Sequence, residues 1–157
     1  MGTRLARGPA ARQNAAVAPA DQTEQSLKVV REIYAAVARG DVAAILARMH
    51  ATARWEFNAA AHDVPWYAAA TGAAEIEALL GAFGRAVTVH VFEPIRFVGR
   101  GGDVFVEVRL AYTVARTGRR VEETQLNWWS LEGSLVTRLR HFEDTAQVVE
   151  AWRGPPD

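Results

Sequence analysis

Two periods of hydrophobic and polar positions divide the chain. Up to about residue 84 the apolar residues recur at helical spacing, and from 87 to 143 they alternate as in strands. Asp21-Gln-Thr-Glu24 has capping-box spacing, and Leu27, Val30, Ile33, Tyr34 and Val37 follow on one helical face until Gly40. Asp41 caps a second short helix carrying Val42, Ile45, Leu46 and Met49. The pattern predicts a strand over 53–57, a loop over 58–73, and a third helix with Ile76, Leu79, Leu80 and Phe83 ending near Gly84. Four strands, 87–98, 103–115, 121–131 and 135–143, are then separated by Gly101-Gly102-Asp103, Thr117-Gly118 and Gly133-Ser134. A last helix runs from Thr145 to Trp152 and stops before Pro155-Pro156. The order ααβαββββα segregates helices from strands, which is an α+β domain and not a repeating βαβ one.

The last hairpin breaks the expected pattern. Side chains two apart share a face, so Gln125, Asn127, Trp129 and Leu131 line one side of its first strand. In its second strand Val136, Arg138, Arg140, Phe142 and Asp144 fall together, with Leu135, Leu139 and His141 opposite. Neither face is cleanly apolar. Either this is ordinary surface, or it lines a cavity that needs polar groups.

Composition narrows the choice of partners. The 157 residues fit one domain, half of them are hydrophobic, and 18 basic residues balance 18 acidic ones. That balance argues against nucleic acid or an anionic membrane as the main partner. The absence of Cys excludes disulfides and thiolate chemistry and is compatible with a cytoplasmic location. No apolar run approaches a membrane span. Residues 1–22 read as a disordered Ala/Arg/Pro leader, 23–153 as a single domain and 154–157 as a tail. The four histidines, His50, His62, His90 and His141, make no ligand pair, so no metal is expected. Gly99-Arg100-Gly101-Gly102 precedes a strand and is a hairpin turn, not a phosphate cradle.

YAAVARGDVAAILARMHATARWEF, the VPW of the loop, TGAAEIEALLGAF and the closing RLRHFEDTAQVVEAWR resemble SnoaL-like proteins of the nuclear transport factor 2-like superfamily, over about residues 25–153. The resemblance implies a cone-shaped, curved antiparallel sheet wrapped around three helices, with one deep pocket and no cofactor. It also implies a homodimer formed through the outer sheet face, where Trp128 falls. Residue by residue, the base position of ketosteroid isomerases falls on Phe57 or Asn58, which cannot remove a carbon-bound proton. The helix-one Tyr falls on Tyr34, and the oxyanion acid on Asn127.

Polyketide-cyclase-like members resemble the chain better, and their acid/base near the end of the last strand falls on Asp144. Arg140 or Arg138, with Asn127, would stabilise an oxyanion. Tyr34, Trp55, Phe57, Trp66, Tyr112, Gln125, Trp129 and Arg138 would hold the substrate. The expected activity is proton transfer on an apolar carbonyl-bearing or polycyclic molecule: isomerisation, aldol-type cyclisation or hydration. The alternative is a hydrophobic-ligand-binding or dimerisation module without chemistry. The residues leave bland roles open: Asp144 can cap the last helix, both arginines can pair with Glu143, Glu123 or Glu56, and the aromatics can be core. His62-Asp63 is a minor acid/base candidate.

Overall fold

The computed structural model describes residues 19–61 and 63–154. Residues 1–18 of the expected leader, His62 and residues 155–157 of the tail lie outside the described residues. Helix α1 (Pro19–Arg39) starts ahead of the expected boundary, because Pro19 fits the first turn, where its missing N–H is no loss. Asp21 therefore lies in that turn, facing the positive end of the helix dipole, and does not cap it. Gly40 ends the region with φ 67°, a backbone shape that a side chain disfavours. Asp41 then accepts a hydrogen bond from Ala44 N to open α2 (Val42–Leu46).

Strand β1 (Met49–Phe57) is followed by the two-residue β2 (Ala70–Thr71), within the stretch where the sequence pattern predicts a loop. Helix α3 (Gly72–Ala86) leads into β3 (Val87–Arg100), β4 (Asp103–Val114), β5 (Arg120–Glu132) and β6 (Leu135–Phe142), and α4 (Thr145–Arg153) closes the chain. The six strands form one open, curved sheet in the order β2-β1-β6-β5-β4-β3. One expectation needs correcting: the sheet is mixed, since β1 pairs parallel with β6. No hairpin joins those two strands, so no turn forces them antiparallel.

Every second residue of β4, from Val104 to Val114, is buried against α1, α3 and the loop after β1. The core has two lobes. One gathers Val30, Ile33, Ile76, Val106 and Leu139, and the other gathers Val64, Trp66, Tyr112, Val121 and Val148. The α1 helix is tied to both sheet turns at that end, through Gln22 Nε2 donating to Gly133 O (3.1 Å) and Gly101 N donating to Thr23 Oγ1 (2.7 Å).

Gly102 sets how closely β4 and β5 approach. Leu131 N donates to Gly102 O at 2.8 Å, and a Cβ on residue 102 would lie 2.4 Å from Leu131 O. Backbone cannot swing aside as a side chain can. The Gly102→Ala protein is therefore expected to lose about 2 kcal/mol or more in urea unfolding; an unchanged midpoint would contradict the tight approach.

Candidate functional site

The inner face of β5 carries Val121, Glu123, Gln125, Asn127, Trp129 and Leu131, all buried. Which β6 residues join them depends on one irregularity. A regular two-residue hairpin at Gly133-Ser134 would set Trp129 opposite Arg138 and Asn127 opposite Arg140. A bulge at Thr137 shifts the register instead, so that Trp129 faces Leu139 and Asn127 faces His141. A one-residue shift moves every later side chain to the other face. The physical gain is clear: two guanidinium groups stay out of an apolar interior that would leave them unpaired.

Arg138 and Arg140 consequently lie on the outer face, which corrects the expectation that they point inward. Arg138 Nη2 pairs with Glu56 Oε2 at 2.7 Å, and the Arg140 guanidinium sits 5.7 Å over Trp128 and 5.2 Å over Phe142. Trp128 itself stacks on Phe105 and donates to Asp103 Oδ1 at 2.8 Å, so much of its ring is covered within the chain. Asp144 does not line the cavity either. Its Oδ1 accepts from Gln147 N at 3.1 Å and caps α4.

The curved sheet, α1, α3 and the loop enclose a cavity of about 440 Å³. Tyr34, Trp55, Phe57, Trp66, Tyr112, Gln125, Asn127 and Trp129 from the sequence reading all line it. So do His141 and Glu143, to which that reading gave no site role. Asp63 is drawn away to the surface, bound by both prongs of Arg153 at 2.8 and 2.9 Å, which hold its carboxyl down at about 2. Among the described residues, no three His, Asp or Glu side chains gather as a metal-binding set.

Polar groups occupy two parts of the wall. In one, Tyr34 Oη accepts from Asn127 Nδ2 (2.8 Å) and Trp129 Nε1 (3.4 Å). Burial pushes the Tyr34 phenol up to about 12, outweighing those two donors, so it stays neutral. In the other, the wall residue Glu143 accepts at Oε1 from Tyr67 Oη at 2.5 Å; outside the lining, Asp144 N donates to the buried Glu123 Oε2 at 2.9 Å. Burial raises the Glu143 carboxyl above the ordinary range, and the Tyr67 hydroxyl partly restrains it. Burial first, then the neighbouring Glu143 charge, lifts Glu123 to about 7. Tyr67 and Tyr112 are also raised by burial and then by the nearby carboxylates. Between the two regions His141 stacks on Phe57 at 4.4 Å, and burial drives its imidazole down to about 3.

Glu143 could have been found from the sequence by one signal, the improbability of burying both arginines beside Asn127. Turning them outward brings Leu139, His141 and Glu143 in.

The SnoaL-like domain family matches residues 30–139. Among solved structures, the chain is 27% identical to an NTF2-like protein from Burkholderia xenovorans LB400, with a TM-score of 0.74 and coverage of 82% of this chain and 96% of that one. TerC, co-crystallised with polyporic acid, is 20% identical with a TM-score of 0.74, over 83% of this chain and 99% of that one. A protein of ketosteroid isomerase-like fold from Catenulispora acidiphila DSM 44928, in complex with trimethylamine, is 14% identical with a TM-score of 0.67, over 82% and 94%. No curated protein matches the chain in sequence. Among the described residues no helix is long and apolar enough to cross a membrane.

Proposed function

Because the chain belongs to the SnoaL-like domain family, and its cavity is apolar with a half-buried carboxyl group, that of Glu143, on the wall, we propose that it catalyses proton transfer on an apolar carbonyl compound without a cofactor. The observation that carries this reading is Glu143, desolvated at the cavity wall and held by the Tyr67 hydroxyl. Burial makes a carboxylate a stronger base than it is in water, which suits removal of a proton next to a carbonyl. The carboxylate takes that proton, and the electron pair of the C–H bond moves onto the carbonyl oxygen. Asn127 and neutral Tyr34 then supply hydrogen bonds to the enolate. Return of the proton at another carbon gives isomerisation; attack of the enolate carbon on a second carbonyl gives aldol-type cyclisation. Glu143 thus takes the part that the resemblance gave to Asp144, and no guanidinium takes part.

The test is exchange of the C1 protons of 2-tetralone in deuterated buffer, followed by NMR. Wild type is expected to accelerate it, Glu143→Gln to lose the acceleration, and Asp144→Ala to keep it. Asp144→Ala should instead lower stability by about 1 kcal/mol, the cost of a missing cap. Loss of exchange in Asp144→Ala with retention in Glu143→Gln would reverse the assignment. The apolar lining favours a second reading, carriage of a hydrophobic molecule unchanged, which predicts binding of 2-tetralone with no exchange.

We also propose that the outer sheet face, with Leu126 and Val98 exposed, pairs two copies. Light scattering should give a dimer's mass, and Leu126→Glu a monomer's; a monomeric wild type would refute it.

A further inference from the structure

The cavity wall contains polar atoms that the fold leaves idle. Trp55 Nε1, both ring nitrogens of His141 and Asn127 Oδ1 are buried without a hydrogen-bond partner among the described residues. Such atoms destabilise a fold unless something pairs with them. These belong to neighbouring residues. His141 stands opposite Asn127 on β5 and beside Phe57 on β1, and the Trp55 ring lies 5.5 Å from the imidazole. All three residues line the same cavity.

Their chemistry is complementary. The His141 ring lies flat on Phe57, only 9° from parallel, so that face is covered and its nitrogens can bond only in the plane of the ring. Burial keeps the imidazole neutral, which leaves one nitrogen as donor and the other as acceptor. Trp55 adds a donor only, and Asn127 has one amide arm on Tyr34 and the other unused. Among the described residues no Lys or Arg lines the cavity, and Arg138 and Arg140 are turned to the outer side with Glu56. An anionic ligand would be desolvated here without a counter-charge.

Resting on the reading of this cavity as a small-molecule site, we infer that Trp55, His141 and Asn127 form a recognition edge for an uncharged, flat, apolar ligand. That ligand carries both a hydrogen-bond acceptor and a donor on one ring system, such as a ketone with an enol or phenol hydroxyl. His141 and Trp55 are the specificity-determining residues, and Glu143 does the separate work of moving protons.

Equilibrium dialysis with tetralin, 1-tetralone and 6-hydroxy-1-tetralone tests this. Affinity should rise along that series, by about tenfold from hydrocarbon to hydroxyketone. His141→Phe, which keeps the stack on Phe57, and Trp55→Phe, which keeps a ring, should each weaken the hydroxyketone about fivefold or more and leave tetralin within about twofold. Trp55→Phe carries the test if His141→Phe does not fold. Equal affinity for all three probes, no binding of any, or an equal loss for tetralin and hydroxyketone in both variants would overturn the inference. Glu143→Gln should keep the affinity series. If proton exchange proves independent of Glu143 while the series persists, the proposed chemistry fails and the recognition edge stands.

Discussion

Glu143→Gln is expected to slow ketone proton exchange by about 10²- to 10⁴-fold, the usual contribution of a positioned general base. Gln keeps the size of the side chain and can still accept from the Tyr67 hydroxyl, so binding of 2-tetralone should change little. The loss therefore belongs in kcat more than in KM. The pH profile supplies an independent check. The reactive form is the carboxylate, so kcat/KM should rise with pH through a limb displaced above the ordinary carboxylate range, because burial disfavours the ionised form. Tyr67 donates to that ionised form. Tyr67→Phe should therefore move the limb to still higher pH while leaving the plateau rate close to wild type. A limb at the ordinary carboxylate position, or a Glu143→Gln rate within about threefold of wild type, excludes Glu143 as the base.

The second large effect is on stability, and it has opposite signs on the two sides of the acid range. His141 is lowered from 6.5 to about 3 in the fold. Between those values the unfolded chain binds a proton that the folded one does not, so stability rises with pH, by on the order of 5 kcal/mol. Glu123 is raised from 4.5 to about 7. There the folded state holds the extra proton, so stability is present below 4.5 and falls as pH rises to 7, by on the order of 3 kcal/mol. From 4.5 to 6.5 the two slopes oppose each other, and Glu143, also raised, tilts the balance downward.

Wild type should thus be most stable near pH 4.5–5 and weaken toward neutrality. His141→Phe removes the acid limb, leaving a curve that only falls with pH above 4.5. It also removes two unpaired buried nitrogens, so its stability below pH 6 should exceed that of wild type. Glu123→Gln flattens the alkaline side, since its side chain can still accept from Asp144 N. Thermal unfolding of the three proteins from pH 3 to 8 decides it: parallel curves would mean that neither group titrates as its burial requires.

The sequence by itself determined the α+β class, the approximate limits of the last four strands and the polar inner row Gln125-Asn127. Those features follow from periods of 2 and 3.6 residues and from Gly turns, all of which are local. Even Asp144 as a helix cap was legible, because a cap is decided by the next three residues. What only the tertiary structure decided was the partner of that polar row. The bulge at Thr137 costs little locally, and nothing within the hairpin selects it. It is selected by the whole interior, which accepts Leu139 and His141 beside β1 and rejects two arginines. The parallel pairing of β1 with β6 is equally non-local, and it is what stacks Phe57 on His141. The proposed base, Glu143, therefore stands one residue from the Asp144 that the resemblance pointed to, because burial is settled by long-range packing and alternation only by neighbours.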